Sequence, residues 1–391
     1  MIVTLGMALL IPLQKYEFIR KYAKKRVTIC RNTIFFIIFA TKNSEQMITV
    51  GIPVYNCEKK LITRCVNSVL SQSEEDIELL IVNDCCTDNT MQYIEETIKH
   101  NSYRENIRII NHEKNTGIAG SRNTILEEAQ GEYVFFIDCD DYLPSDTIKI
   151  MVQVAKEKQA EAVWGSVMEK IYETGEERVH IQYPDLSFVG EDKLAYYANH
   201  DSNENIPNSI WNILMDTSFI RQNKLRFESC SYFDDYIFLN KMLPLVKRAA
   251  FISDFTYYWV IRTGSQSHPI EVIIPSYNIK QAVVANKILK DLCRSLRDKS
   301  YFEGYCLKLH KHCFFTAFTM VKHRKRLDYR FTNVDIKKII TPIVTIKEVI
   351  KFNHYKKQNM FFCLLGETPA FMVPFILQLL NKYRRLKNKS K

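Results

Sequence analysis

Three carboxylates within four residues, Asp138, Asp140 and Asp141, stand directly after the apolar run Tyr133-Val-Phe-Phe-Ile137 and before Tyr142-Leu143-Pro144. Like charges so close together repel one another and favour a divalent cation, and their hard oxygens suit Mg²⁺ or Mn²⁺. A second acidic pair, Asp234-Asp235, comes later in the chain. A carboxylate beside a like charge has a raised pKa. Tyr55 and Asp84 each end an apolar run as well. A tyrosine ring there can stack on a nucleobase, and a carboxylate can accept a base N–H. The plainer reading of these aspartates is capping, with Asp141 or Ser145 opening one helix and Asp234-Asp235 another over 236–243.

These groups need a scaffold that brings them to one place, and the apolar periodicity supplies it. Residues 48–54 read as a strand leading to Pro53, Tyr55 and Asn56, 77–82 as a second ending at Asp84, and 107–110 as a third. The run 133–137 has no polar alternation, which suits a central strand buried on both faces, with its carboxylates at the carboxyl end. Between the strands, apolar residues at helical spacing mark helices over about 58–72, 87–99, 120–129 and 147–158. Alternating strand and helix predicts an α/β fold with a doubly wound, mostly parallel sheet, whose carboxyl edge is where ligands bind. Beyond residue 161 the alternation weakens. The pattern there predicts a strand at 163–167, a helical piece at 194–199, a helix over 210–223 carrying Trp211, and a helical, basic region from about 276.

The net charge of +10 over 391 residues invites a nucleic-acid reading, but two short segments carry it: 15–31 and 381–391 each hold a net +6. The remainder is slightly acidic, so nucleic acid is not expected as a partner. Each basic segment adjoins an apolar stretch, 34–40 at one end and 360–380 at the other, as in peripheral membrane anchors. The second stretch is interrupted by Glu367, Pro369 and Pro374, which favours lying in the interface over spanning the bilayer. The expected location is cytoplasmic, at the inner face of the membrane. Eleven scattered cysteines with no Cys-x-x-Cys pair give neither a zinc ribbon nor a disulfide framework.

Ordered motifs add to this reading: Ile-Pro-Val-Tyr-Asn (52–56), Val-Asn-Asp (82–84) with Thr87-Asp88, Asn115-Thr-Gly117 with Ser121-Arg122-Asn123, Ala129-Gln-Gly131-Glu-Tyr133, and Asp138-Cys-Asp140-Asp141. In this order and spacing they resemble the family 2 glycosyltransferases, which have the GT-A fold and transfer a sugar from a nucleotide diphosphate sugar with inversion. Cys85-Cys86 departs from the family's usual Gly-Ser, which bears on the turn after Asp84. The resemblance implies that Pro53, Tyr55, Asn56, Asp84 and Asp138 line the nucleotide site and that Asp138 and Asp140 hold the metal. Arg122 would pair either with phosphate or with an acidic neighbour.

Ile210-Trp211-Asn212 and Tyr232-Phe233-Asp234-Asp235 are similar to the family's acceptor side, which makes Asp235 the base, with Asp234 in place of the usual Glu. Trp211, Asp141 and Asp234 are further candidates. Tyr257-Tyr-Trp259 and Arg262…His268 match a segment that would close over the diphosphate, or bring His268 to the metal. The implied layout is an N-terminal extension (1–46) or misassigned start, a GT-A catalytic domain (47–275, with a nucleotide-sugar half to 165 and an acceptor half from 166), and a C-terminal helical region (276–391). The implied partners are a nucleotide-sugar donor, with UDP favoured, and a glycan or lipid-linked acceptor. The competing class is a non-catalytic, membrane-associated binding module. A nicotinamide-binding enzyme is excluded because no Gly-x-Gly-x-x-Gly follows the first strand.

Overall fold

The computed structural model describes residues 47–73, 76–99, 106–200, 206, 209–230, 233–263, 276–324 and 331–379. The first part alternates β1 (Ile48–Val54), α1 (Lys59–Leu70), β2 (Ile77–Asn83), α2 (Thr90–Ile98), β3 (Ile107–Asn111), α3 (Gly117–Glu128), β4 (Tyr133–Phe136) and α4 (Thr147–Lys158). There follow β5 (Ala162–Ile171), β6 (Glu177–Ile181), β7 (Leu186–Val189), α5 (Lys193–Asn199), β8 (Ile213–Asp216), α6 (Thr217–Gln222), α7 (Asp234–Met242) and β9 (Arg248–Ile261). Every later element is a helix: α8 (Ser276–Ser295), α9 (Phe302–Lys322), α10 (Asn333–Ile340), α11 (Ile346–Ile350) and α12 (Lys356–Glu367).

The strands form one mixed, mostly parallel sheet in the order β3-β2-β1-β4-β8-β5-β9-β7, with β6 against β5. Side chains alternate between two cores. Val50, Ile52, Ile81 and Phe135 enter the core on one face, while Leu80, Val82, Val134 and Phe136 enter the other, so the runs read as uniformly apolar. Gly51 has no side chain to keep Ile125 of α3 at a distance, and a Cβ there would lie 2.4 Å from the Ile125 Cγ2. That close approach seats α3, with Arg122 on it, directly over β1.

The predicted helix over 210–223 is corrected. Ile213, Leu214 and Met215 form β8, which pairs antiparallel with both β4 and β5, and only Thr217–Gln222 is helical. A short apolar run does not distinguish strand from helix by period alone. Here the open edges of two buried strands decide it.

The C-terminal helices build a third core that includes Leu289, Tyr305, Leu309 and Ile339, and that core also takes in Ile237 of α7. Among the described residues no helix is long and apolar enough to cross a membrane.

Candidate functional site

Strands β1, β2, β4, β5 and β9 run in the same direction, so their carboxyl ends share one edge. Tyr55, Asp84, Asp138 and Arg262 all emerge there. Pro53 decides where the edge begins on β4. The Gly51 carbonyl accepts the Ile137 N–H at 3.1 Å, but two residues on Pro53 turns to the same side a nitrogen with no hydrogen. The ladder stops and residues 138–141 leave the sheet. Pro53 is itself buried within β1.

Arg122, 3% exposed, lies at the centre of the acidic groups. Its Nη2 donates to Asp138 at 3.1 Å, and its Nη1 donates to Asp234 at 2.9 Å and to Asp235. Burial alone would lower its pKa, but the charges of Asp235, Asp138 and Asp234 outweigh burial and hold it above its ordinary range. Of the two partners foreseen for this guanidinium, the geometry gives the acidic neighbours and leaves no exposed face for phosphate.

Asp235 accepts the Ile210 N–H at 3.2 Å on its other oxygen. Burial, with the charges of Asp234 and Asp138, pushes its pKa up to about 7 against the opposing pull of Arg122. Burial likewise raises Asp234. Neither residue caps α7, whose first residue outside the helix is Phe233. Both lie in the first turn, where the helix dipole favours a carboxylate.

The three strand-end aspartates divide. Asp141 is 1% exposed and accepts from the Tyr257 hydroxyl at 2.7 Å and from the Val260 N–H at 2.7 Å. It therefore fastens the loop to β9 and does not cap α4, which begins after Asp146. Asp138 and Asp140 keep 27% and 28% of their side-chain surface exposed. Burial and the neighbouring Asp138 raise the Asp140 pKa. Arg262 stands 3.6 Å from Asp140, and Arg64, which sequence reasoning missed, donates to the Asp140 carbonyl at 3.4 Å while lying over the Tyr142 ring. Nothing in the α1 pattern marks Arg64, because it is one polar residue among several on that helix.

Asp84 is 3% exposed. Its Oδ1 accepts from Thr116 N–H, Thr116 Oγ1 and His112 Nδ1, and its Oδ2 accepts from Gly117 N–H at 2.8 Å. These bonds hold the loop that starts α3 and leave one lone pair of Oδ2 without a protein donor. Cys85 keeps a left-handed backbone at φ 63° although it is not glycine, and its thiol donates to the His112 carbonyl at 3.1 Å. Asn56 joins the two strand-end loops by exchanging hydrogen bonds with Thr87. Tyr55 is 51% exposed, free to receive a planar group. Trp211, by contrast, is a core residue stacked on Tyr257 with centroids 4.6 Å apart. His268 lies outside the described residues.

Among the described residues no three His, Cys, Asp or Glu side chains converge as a ready cation cage. Two partly exposed carboxylates, Asp138 and Asp140, fit a Mg²⁺ or Mn²⁺ that keeps waters and takes phosphate oxygens from a bound ligand.

Residues 49–226 match the sequence profile of glycosyl transferase family 2. The chain is 27% identical over 223 residues to glycosyltransferase GlyG of Streptococcus pneumoniae, covering 56% of this chain and 72% of that protein. It is 25% identical over 268 residues to the poly(ribitol-phosphate) beta-glucosyltransferase of Bacillus spizizenii, covering 67% of this chain but 38% of that longer protein. The crystal structure of S. aureus TarS 1–349 in complex with UDP-GlcNAc superposes with a TM-score of 0.56 at 19% identity, over 82% of this chain and 90% of that one. At that identity the likeness shows the fold, which is GT-A.

Proposed function

Residues 49–226 belong to glycosyl transferase family 2, and from that premise we propose an inverting transfer of sugar from a UDP-sugar to a hydroxyl of a glycan or lipid-linked acceptor. The observation that carries this reading is the Arg122 fork, which joins the strand-end Asp138 to the acidic pair that opens α7. It sets a donor-side carboxylate and a candidate base on opposite arms of one rigid, buried group.

In this reading the base of the donor stacks on Tyr55. Asp138 and Asp140 would hold a divalent cation bound with the donor, which would offset the charge of the diphosphate. Arg262, beside Asp140, faces the same phosphates. Asp235, deprotonated and held by Arg122 and the Ile210 N–H, takes the proton of the acceptor hydroxyl as its oxygen attacks the anomeric carbon. The bond to the nucleotide diphosphate breaks on the opposite face, and no covalent enzyme intermediate is needed. Arg122 keeps the base in place throughout and touches neither substrate.

Membrane contact forms part of the proposal. Phe361, Leu364, Phe371, Met372, Phe375 and Leu379 are exposed, from 40% to 73%, over α12 and the turn and helix that follow it. The following residues 381–391 carry six Lys/Arg and no acid. Apolar side chains next to basic ones suit the surface of an anionic bilayer.

The direct experiment incubates purified full chain and Mn²⁺ with a panel of nucleotide sugars and measures released nucleotide diphosphate. Release from one UDP-sugar supports the reading, and no release from any nucleotide sugar overturns it.

A further inference from the structure

Helix α9 begins 76 residues beyond the last residue that matches the family profile, yet it reaches the first turn of α7. Lys308 and His312 stand one turn apart on one face of α9. The Lys308 ammonium lies 5.9 Å from the centroid of the Tyr236 ring. The His312 ring lies 4.8 Å from Tyr236 and 5.7 Å from Phe233. Tyr236 directly follows Asp235, so α9 packs against the helical turn that carries the candidate base.

The pair is half-buried, and no carboxylate among the described residues bonds to either member. The Nδ1 of His312 is buried without a hydrogen-bond partner. Burial pushes Lys308 down to about 8, and burial together with the Lys308 charge pushes His312 down to about 4. Burial without a counter-charge disfavours the protonated form of each group, the Lys308 charge adds to this at His312, and a bound anion removes that cost. The same face continues through exposed Lys311 and through Phe315, which is 63% exposed. The Lys308 ammonium and the unpartnered His312 nitrogen, set beside aromatic rings, suit a phosphate linked to a carbon chain.

We propose that Lys308 and His312 form a subsite for a phosphate group of the acceptor, placing the acceptor's hydroxyl beside Asp235. The proposal rests on the transferase reading given above. The phosphate has two chemical sources, a phosphodiester within a polyol-phosphate chain or the diphosphate of a lipid-linked acceptor.

The test loads the full chain with UDP and titrates it calorimetrically with two probes, a glycerol phosphate oligomer and farnesyl diphosphate. The expected result is that one probe binds, and the probe that does so identifies the source. Lys308→Gln and His312→Gln should each weaken that binding about tenfold, the loss of one charge-assisted hydrogen bond, while Lys308→Arg retains it. UDP affinity should stay unchanged in all three variants, which excludes misfolding as the cause. The subsite is overturned if the wild type and the Gln variants bind both probes equally, or if the wild type binds neither. A chain that fails to bind UDP at all overturns instead the donor site on which the subsite depends.

Discussion

Arg122 Nη1 lies 2.9 Å from Oδ2 of Asp234, and because Arg122 rides on α3 while Asp234 opens α7, this contact joins the helix over β1 to the helix that precedes β9. Replacing Arg122 by Met would strand Asp138, Asp234 and Asp235 as buried or half-buried carboxylates. The expected destabilisation is about 3–5 kcal/mol, measured by denaturant unfolding. Asp234 and Asp235 already have raised pKa values when folded, so they cost stability as pH rises through those values. The deficit of Arg122→Met should therefore shrink between pH 8 and pH 5. An equal deficit at both ends would contradict the ion-pair account.

Asp235→Asn keeps the shape and the Ile210 hydrogen-bond geometry but cannot accept a proton. Transfer should fall by about 10²–10⁴ while UDP binding is retained. In the wild-type chain kcat/KM should rise tenfold per pH unit up to about 7 and then level, because the base works only when deprotonated. Transfer by Asp235→Asn at the wild-type rate would remove Asp235 from the reaction.

Asp140→Asn should abolish the response of nucleotide release to added Mn²⁺, and a chelator should silence the wild-type chain. If chelation leaves the wild-type rate intact, the cation reading of Asp138 and Asp140 fails.

Tyr55→Ala removes an exposed ring. Donor KM should rise about tenfold, in line with about 1–3 kcal/mol for base stacking, with no change in melting temperature. An unchanged KM would place the base elsewhere.

The exposed Phe371 and Phe375 test membrane contact without disturbing the core. The double change to Ser should lower co-sedimentation with phosphatidylglycerol vesicles at least tenfold, since burying each ring is worth about 1.5–3 kcal/mol. Equal sedimentation of both chains would refute the contact.

The parallel sheet was legible because its strands bury both faces and its helices keep a single apolar stripe, so local sequence determines each. The pairing of Arg122 with Asp234 and Asp235 and of Asp141 with β9 was not, since those partners lie about 110 to 120 residues away along the chain and depend on strand order. Asp84 and Pro53 stand at the strand edge foreseen for them, while the bonds that Asp84 accepts and the ladder that Pro53 ends depend on residues distant in the chain. Residues 213–215 misled because an apolar triplet takes the form that its neighbours leave open.

Helix α7 gives Phe238, Leu239 and Met242 to the core beneath the sheet and Ile237 to the core of the C-terminal helices. A chain cut after β9 would therefore expose one flank of the helix whose first turn holds the acidic pair. The natural unit for building hybrids between this protein and its relatives is not the profile-matching segment alone. Such hybrids should carry α8 to α12 along with α7, because a foreign helical region would have to remake the packing that fixes where Asp235 points.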